Sequence, residues 1–374
     1  MAIKRKASPP APPSGASAPL TRRSIPARHL SPLRLVSTEP ALHELIAYLE
    51  QKRTLILNSP SERHTLTFSR ADLTRARKAF SRMIRHGEES LHRLCELICD
   101  TYLSQYQIQS VAIGELESTK KRFTFTEALK SSELYSTTDL DLGNRQLSRL
   151  RYFDGRGWSK AALVANVVEY QPTEPNELSI HRVISRIKAE EEIWNKVTDE
   201  IFRLDELVEK DKKLKKLSWY VKDVFGLKLV VGAAKDAQAL QRSLGELHWS
   251  TETLRRHQVE SGIGCQQLTF LEVKDYLNSR GRKRSGWQAI KSVVRWHGKT
   301  FEIQIQPLRN FLHEREQLTT ESHSGFKAQR EQVRDEIAKQ IPLFGFYRDL
   351  LQWLFADGDG KPPTFKGIRV EVLE

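Results

Sequence analysis

Two acidic residues in this sequence stand where a carboxylate is costly unless something offsets its charge. In Phe301-Glu302-Ile303-Gln304-Ile305-Gln306 the alternation is strict. It puts Phe301, Ile303 and Ile305 on one face of a strand and Glu302, Gln304 and Gln306 on the other. A carboxylate in the middle of a central strand calls for a cation or a hydrogen-bond partner. Asp223 stands at the mouth of a second apolar run, Val224-Phe225-Gly226-Leu227-Lys228-Leu229-Val230-Val231. If the two strands are neighbours, Asp223 and Glu302 can converge on one cleft. Such a pair suits Mg²⁺, which takes one or two carboxylates and completes its shell with water and phosphate oxygens. Taken singly, Asp223 also suits a turn cap, and Glu302 a solvated sheet face.

Two groups of basic residues fit the same chemistry. Arg186, Lys188 and Lys196 fall on a segment read as a long charged helix over about 186–214. Cations near a helix start oppose its macrodipole, which favours anions there, so bound phosphate is one explanation and a solvated charged face the other. Lys274-Asp275-Tyr276 opens a loop running through Arg280, Arg282, Lys283 and Arg284 to Gly286, Trp287 and Gln288. Its cations can neutralise phosphates and Trp287 can stack on a base. Equally, the loop can be a plain exposed basic segment whose Trp enters the core.

The elements that must hold these residues in place are legible in part. An α/β order begins at residue 176: the charged helix, the buried strand 224–231, a helix at 235–246 and a strand near 266–273. Strands at 288–296 and 300–306 follow, joined by a turn at His297-Gly298-Lys299, and then a helix at about 309–339. Residues 341–374 supply an apolar helix and a closing strand. Residues 35–175 read as a mainly helical region, with helices near 42–49, 69–107 and 159–167 and short strand-like runs between. Residues 1–34 hold seven Pro and seven Lys or Arg; that composition cannot build a core and reads as a disordered basic tail.

The whole chain has 374 residues and a formal net charge of +13. Polyanions are the partners such a charge favours, through the tail an RNA or the ribosome among them, although a basic soluble protein without one has the same composition. Three cysteines, Cys95, Cys99 and Cys265, argue against a disulfide framework and fit a reducing cytoplasm. Cys95 and Cys99, four apart on a helix, read as core residues. No apolar run approaches the ~20 residues of a membrane span. Self-association is left open.

Five segments in order are similar to motifs of the RelA/SpoT alarmone-synthetase family. Ser185–Lys196 (SRIKAEEEIWNK) resembles R-x-K-S-x-x-S-I-x-x-K. Asp223–Lys228 (DVFGLK) resembles the family strand ending in G-I-R. Lys274-Asp275-Tyr276 with Lys283 and Gly286-Trp287-Gln288 resembles K-D-Y…P-K-x-N-G-Y-Q. Glu302–Ile305 resembles E-I-Q-I, and His323–Lys327 resembles H-x-x-Y-K. The resemblance covers about 150 residues and implies a nucleotidyltransferase-like mixed sheet over 176–340. It implies transfer of pyrophosphate from ATP to the ribose 3′-hydroxyl of GDP or GTP. Arg186, Lys188 and Lys196 would hold the ATP phosphates, and Asp223 would bind Mg²⁺. Glu302 would bind Mg²⁺ or act as general base, and Trp287 would stack on the acceptor base. Lys274, Lys283 and His323 would contact acceptor or donor phosphates, and Gln288 would contact the acceptor. The departures fall mainly on the acceptor side: Ala189 for Ser, Lys228 for Arg, Lys291 for His, Gln306 and Pro307 for Arg-Thr. Relatives that modify the tRNA 3′ end or make adenosine alarmones, and a non-catalytic RNA- or nucleotide-binding module, are therefore the alternatives.

Overall fold

The computed structural model describes residues 39–374 apart from 117, 154, 156, 188–189, 203–224, 261, 263, 278–286, 320–334 and 356–360. The tail 1–34, Lys188, Asp223, Lys283 and His323 lie outside the described residues, as does most of the loop between Lys274 and Gly286.

The chain opens with α1 (Pro40–Asn58), β1 (His64–Ser69) and α2 (Arg70–Tyr102), then β2 (Tyr106–Leu116) and β3 (Arg122–Leu129). Short helices α3 (Ser131–Leu134) and α4 (Asp139–Ser148) precede a small hairpin, β4 (Tyr152–Phe153) and β5 (Trp158–Ser159). Next come β6 (Ala161–Pro172), β7 (Ile180–Ile187), α5 (Glu190–Ile201), β8 (Phe225–Val231), α6 (Ala234–Glu246) and α7 (Thr251–Arg256). Strands β9 (Thr269–Asp275), β10 (Ile290–Trp296) and β11 (Lys299–Pro307), helices α8 (Leu308–Thr319) and α9 (Phe344–Phe355), and β12 (Ile368–Leu373) complete it. The result is a mixed α/β fold. One eight-stranded sheet has the order β3-β2-β6-β7-β8-β11-β10-β9. In it β8 and β11 run parallel and the other neighbours antiparallel.

Local chemistry accounts for much of this. The β10–β11 hairpin turns through His297 (φ 47°) and Gly298 (φ 74°), the pair of positive φ values that a two-residue turn matched to strand twist requires. In α2, Leu73, Ala76, Phe80, Met83, Gly87, Leu91, Leu94 and Ile98 recur every three or four residues and are all buried. At Gly87 this helix meets the sheet so closely that an added Cβ would lie 1.8 Å from the Phe225 ring. The helix lies over the Phe225, Leu227 and Leu229 face of β8, and α6 lies over the Phe301, Ile303 and Ile305 face of β11; all six side chains are buried. On the N-terminal side, α9 ties several helices together: Phe355 stacks on Trp194 of α5 at 3.7 Å, and the Tyr347 hydroxyl donates to Leu49 O of α1.

Two expectations are corrected. The helix read at 159–167 is strand, because Ala161–Pro172 pairs with the full length of β2; sheet pairing overrides the helical preference of its alanines. Residues 106–172 thus add β2, β3 and β6 to the sheet, with α3 and α4 between β3 and β6. The helix read from 186 begins at Glu190. Arg186 ends β7, where Val183, Ile184 and Ile187 favour a strand and β8 pairs with it from Ile187 back to Ile180. The strand read near the C-terminus is β12, and it pairs in parallel with β1. Cys95 and Cys99 are buried in α2. Among the described residues, no helix is long and apolar enough to cross a membrane.

A buried polar cluster joins α2 to α4 and β6. His92 Nε2 lies 2.9 Å from Asp139 Oδ1, and its Nδ1 lies 3.0 Å from the Tyr170 hydroxyl. One turn before His92, burial pushes the Glu88 carboxyl from 4.5 up to about 9, with the charge of Asp139 adding to the rise. The folded state therefore binds a proton that the unfolded chain has released between those two values. With respect to this group stability should be greatest below about 4.5 and should fall as pH climbs from there toward about 9. Thermal melts of Glu88→Gln should show a flatter pH dependence and a higher Tm than the parent at the alkaline end. Gly87→Ala should cost about 1–3 kcal/mol in urea denaturation, since the Phe225 ring has to move.

Candidate active site

The sheet's second face is polar along the strands that carry the family-like motifs. Residues directly opposite across a pair share a face, so the register defines two rows. One runs Glu272 (β9), Val293 (β10), Glu302 (β11), Gly226 (β8), Arg186 (β7). The next runs Lys274 (β9), Lys291 (β10), Gln304 (β11), Lys228 (β8). Two carboxylates and an arginine therefore lie alongside three lysines and an amide. Between Glu302 and Arg186 the intervening residue is glycine, which carries no side chain. Strand spacing alone sets those two backbones about 10 Å apart.

Glu302 is 4% exposed. Its Oε2 is ion-paired with Lys291 Nζ, and its Oε1 accepts from Gln304 Nε2. Lys291 thus neutralises the strand carboxylate. One position along, Lys228 donates to Glu314 Oε2 of α8 at 3.0 Å, and Gln306 Nε2 donates to the same oxygen at 2.9 Å. Burial pulls the Lys228 ammonium below its ordinary pKa, against the Glu314 charge that raises it. Burial pushes the Glu314 carboxyl up; Lys228, Gln306 and the Arg186 charge outweigh it, and the net shift is downward. Lys228 also sits 5.6 Å from the Phe311 ring of α8. Phe311 itself packs on Ile184 and Val230 of the sheet.

The remaining candidates are placed as follows. Arg186 is exposed at the end of β7. Lys274 is exposed on β9 and paired with Glu272 at 2.7 Å. Trp287 and Gln288 are half-buried just before β10. The Trp287 ring meets Tyr276 edge to face at 5.5 Å, which anchors the two ends of the basic loop to each other. Lys196 lies on α5. The structure thus brings Glu302, Arg186 and Lys274 onto one sheet face with Lys291, Lys228 and Gln304. Sequence reasoning missed Glu314 as a member of this group. Nothing in Leu308–Thr319 singles it out, because its role depends on how α8 folds back over β8 and β11.

Among the described residues no three His, Cys, Asp or Glu side chains converge to hold a metal ion. Glu302 supplies one hard oxygen donor of the type Mg²⁺ accepts. A cation there would have to take the place of the Lys291 ammonium.

No family model matches the sequence, and no curated protein matches it. Among solved structures, small alarmone synthetase 1 from Bacillus subtilis, bound to its product pppGpp, is similar over 44% of this chain and 83% of that one. The identity is 17% and the TM-score 0.21. Likeness at that level assigns no residue a role.

The Lys291–Glu302 pair has a measurable signature. Lys291→Ala strands a buried carboxylate and should cost about 3–5 kcal/mol in urea denaturation. Adding Glu302→Gln should recover much of the loss. Simple additivity of the two substitutions would show that the pair is not coupled.

Proposed function

We propose that this chain is an ATP-dependent pyrophosphotransferase acting on a ribose 3′-hydroxyl, with GDP or GTP as acceptor. The observation that carries the reading is the row holding Glu302 and Arg186 beside the row holding Lys274, Lys291 and Lys228. A buried carboxylate next to convergent cations is what proton removal and polyphosphate binding require together. In the reaction the acceptor oxygen bonds to the ATP β-phosphorus. The bond from that phosphorus to the α–β bridging oxygen breaks, and AMP leaves with the electron pair. Glu302 takes the hydroxyl proton, after Lys291 moves from the carboxylate toward the incoming phosphates. Arg186 and Lys228 lie on the strands beyond β11 and offset charge on the donor. Lys188 and Lys196 join them in this reading, and Lys274, Lys283, Trp287, Gln288 and His323 belong to the acceptor. Mg²⁺, held by Glu302 with Asp223, would supply further neutralisation of the transferring group when bound.

Transfer is largely a matter of positioning and charge, so the substitution with the largest effect should be at Glu302. With labelled ATP, Mg²⁺ and GDP or GTP, the parent should yield AMP and an acceptor carrying the label. Glu302→Gln should lose about 10²–10⁴-fold in rate while keeping its fold. Label appearing only on tRNA or an adenosine nucleotide would reassign the acceptor. No transfer to any acceptor by folded protein would overturn the proposal. The Lys291–Glu302 ion pair favours a second reading, in which the face binds nucleotides or RNA without chemistry; then binding survives Glu302→Gln and neither protein forms product.

A further inference from the structure

We infer that the β4–β5 hairpin, remote in sequence from the motifs above, is a stacking platform for single-stranded RNA. Phe153 and Trp158 are directly opposed across this hairpin. They are 62% and 73% exposed, and their ring centroids lie 5.6 Å apart. Large aromatic side chains ordinarily contribute to cores; two adjacent rings held out in water mark a surface that meets something. The hairpin's other face is fixed. Tyr152 packs at 4.4 Å on Phe123 of β3, so the outward aromatics stand on an anchored ribbon. Gly155, at φ 88°, lies in the reversal between the two strands.

Charge selects the partner. From Leu142 to Val168 the sequence holds five basic residues (Arg145, Arg149, Arg151, Arg156, Lys160) and one acid, Asp154. Arg149, Arg151 and Lys160 are exposed and lie within four residues of one or other ring along the chain. Arg149 reaches Glu127 at 3.4 Å, and Arg151 donates to two backbone carbonyls at 3.0 Å, which leaves both side chains ordered at the surface. The Phe123–Tyr152 contact draws in the start of β3, and the preceding turn adds exposed Lys120 and Lys121. A protein partner for an aromatic patch would favour few charges at its centre. Exposed aromatics flanked along the chain by exposed cations instead match a strand offering both phosphates and unstacked base faces. RNA loops and tails are the usual source of such bases.

The test uses the full chain and a fluorescein-labelled short oligouridylate, followed by anisotropy at two salt concentrations. Phe153→Ala/Trp158→Ala should weaken binding by roughly tenfold or more, at about 1–3 kcal/mol per stacked base. Trp158→Phe should retain most of it. Background binding by the basic residues 1–34 is common to every variant and cancels in the comparison. Both side chains are exposed, so the variants should melt with the parent. Pyrophosphate transfer to GDP or GTP should be unchanged in the double variant, which separates this site from the sheet face. Unchanged RNA affinity in the double variant would overturn the inference. So would tighter binding of a duplex than of the single strand. Loss of self-association in sedimentation, with RNA binding intact, would reassign the rings to a contact between copies.

Discussion

A carboxylate with 4% exposure in the third-from-edge strand of a sheet has to be neutralised by its neighbours, and the polar face is arranged around that requirement at Glu302. Lys291 and Gln304 answer it from the adjoining row. Lys228, the next cation along that row, is itself half-buried and has to be answered in turn. Glu314 reaches down from α8 to do so, with Gln306 donating to the same oxygen. The Lys228–Glu314 pair and the apolar contact of Phe311 thus both join α8 to the sheet. What remains outward on this face is Arg186 at one end and the Lys274–Glu272 pair at the other.

The opposite face supplies the rigidity that such an arrangement needs. Phe301, Ile303 and Ile305 are fully buried, and α2 lies against β7 and β8 with no side chain at Gly87 to hold it off. A sheet pinned in this way on one side keeps the register of the other. The register matters because a one-residue slip would turn Glu302 toward Phe225 and expose Ile303.

Much of this was legible in the residues themselves. Strict alternation in 301–306 places Glu302, Gln304 and Gln306 together, and the His297-Gly298 turn fixes the hairpin that brings Lys291 opposite Gln304. The α2 stripe is equally plain. What sequence alone could not give was set by partners distant in the chain. Arg186 is strand because β8 lies beside it; read locally, the acidic run after it extends a helix backward. Ala161–Pro172 is strand because β2 claims its whole length. Glu314 belongs to the site only through the fold-back of α8. A lysine opposite a glutamine across a hairpin is a weak signal; its pairing with Glu302 emerges diagonally, from the pleat.

The pairing of β6 with β7, through Glu169 opposite Ile184 and Tyr170 opposite Val183, joins the two halves of the chain across position 175. A fragment beginning at residue 176 would carry every family-like motif, yet its first strand would lose the neighbour that accepts and donates its outer hydrogen bonds. Tyr170, a wholly enclosed ring, would go with that neighbour. The fragment would present a raw strand margin, prone to recruit other chains. The N-terminal region thus covers the margin of β7 that the motif-bearing half would otherwise leave open.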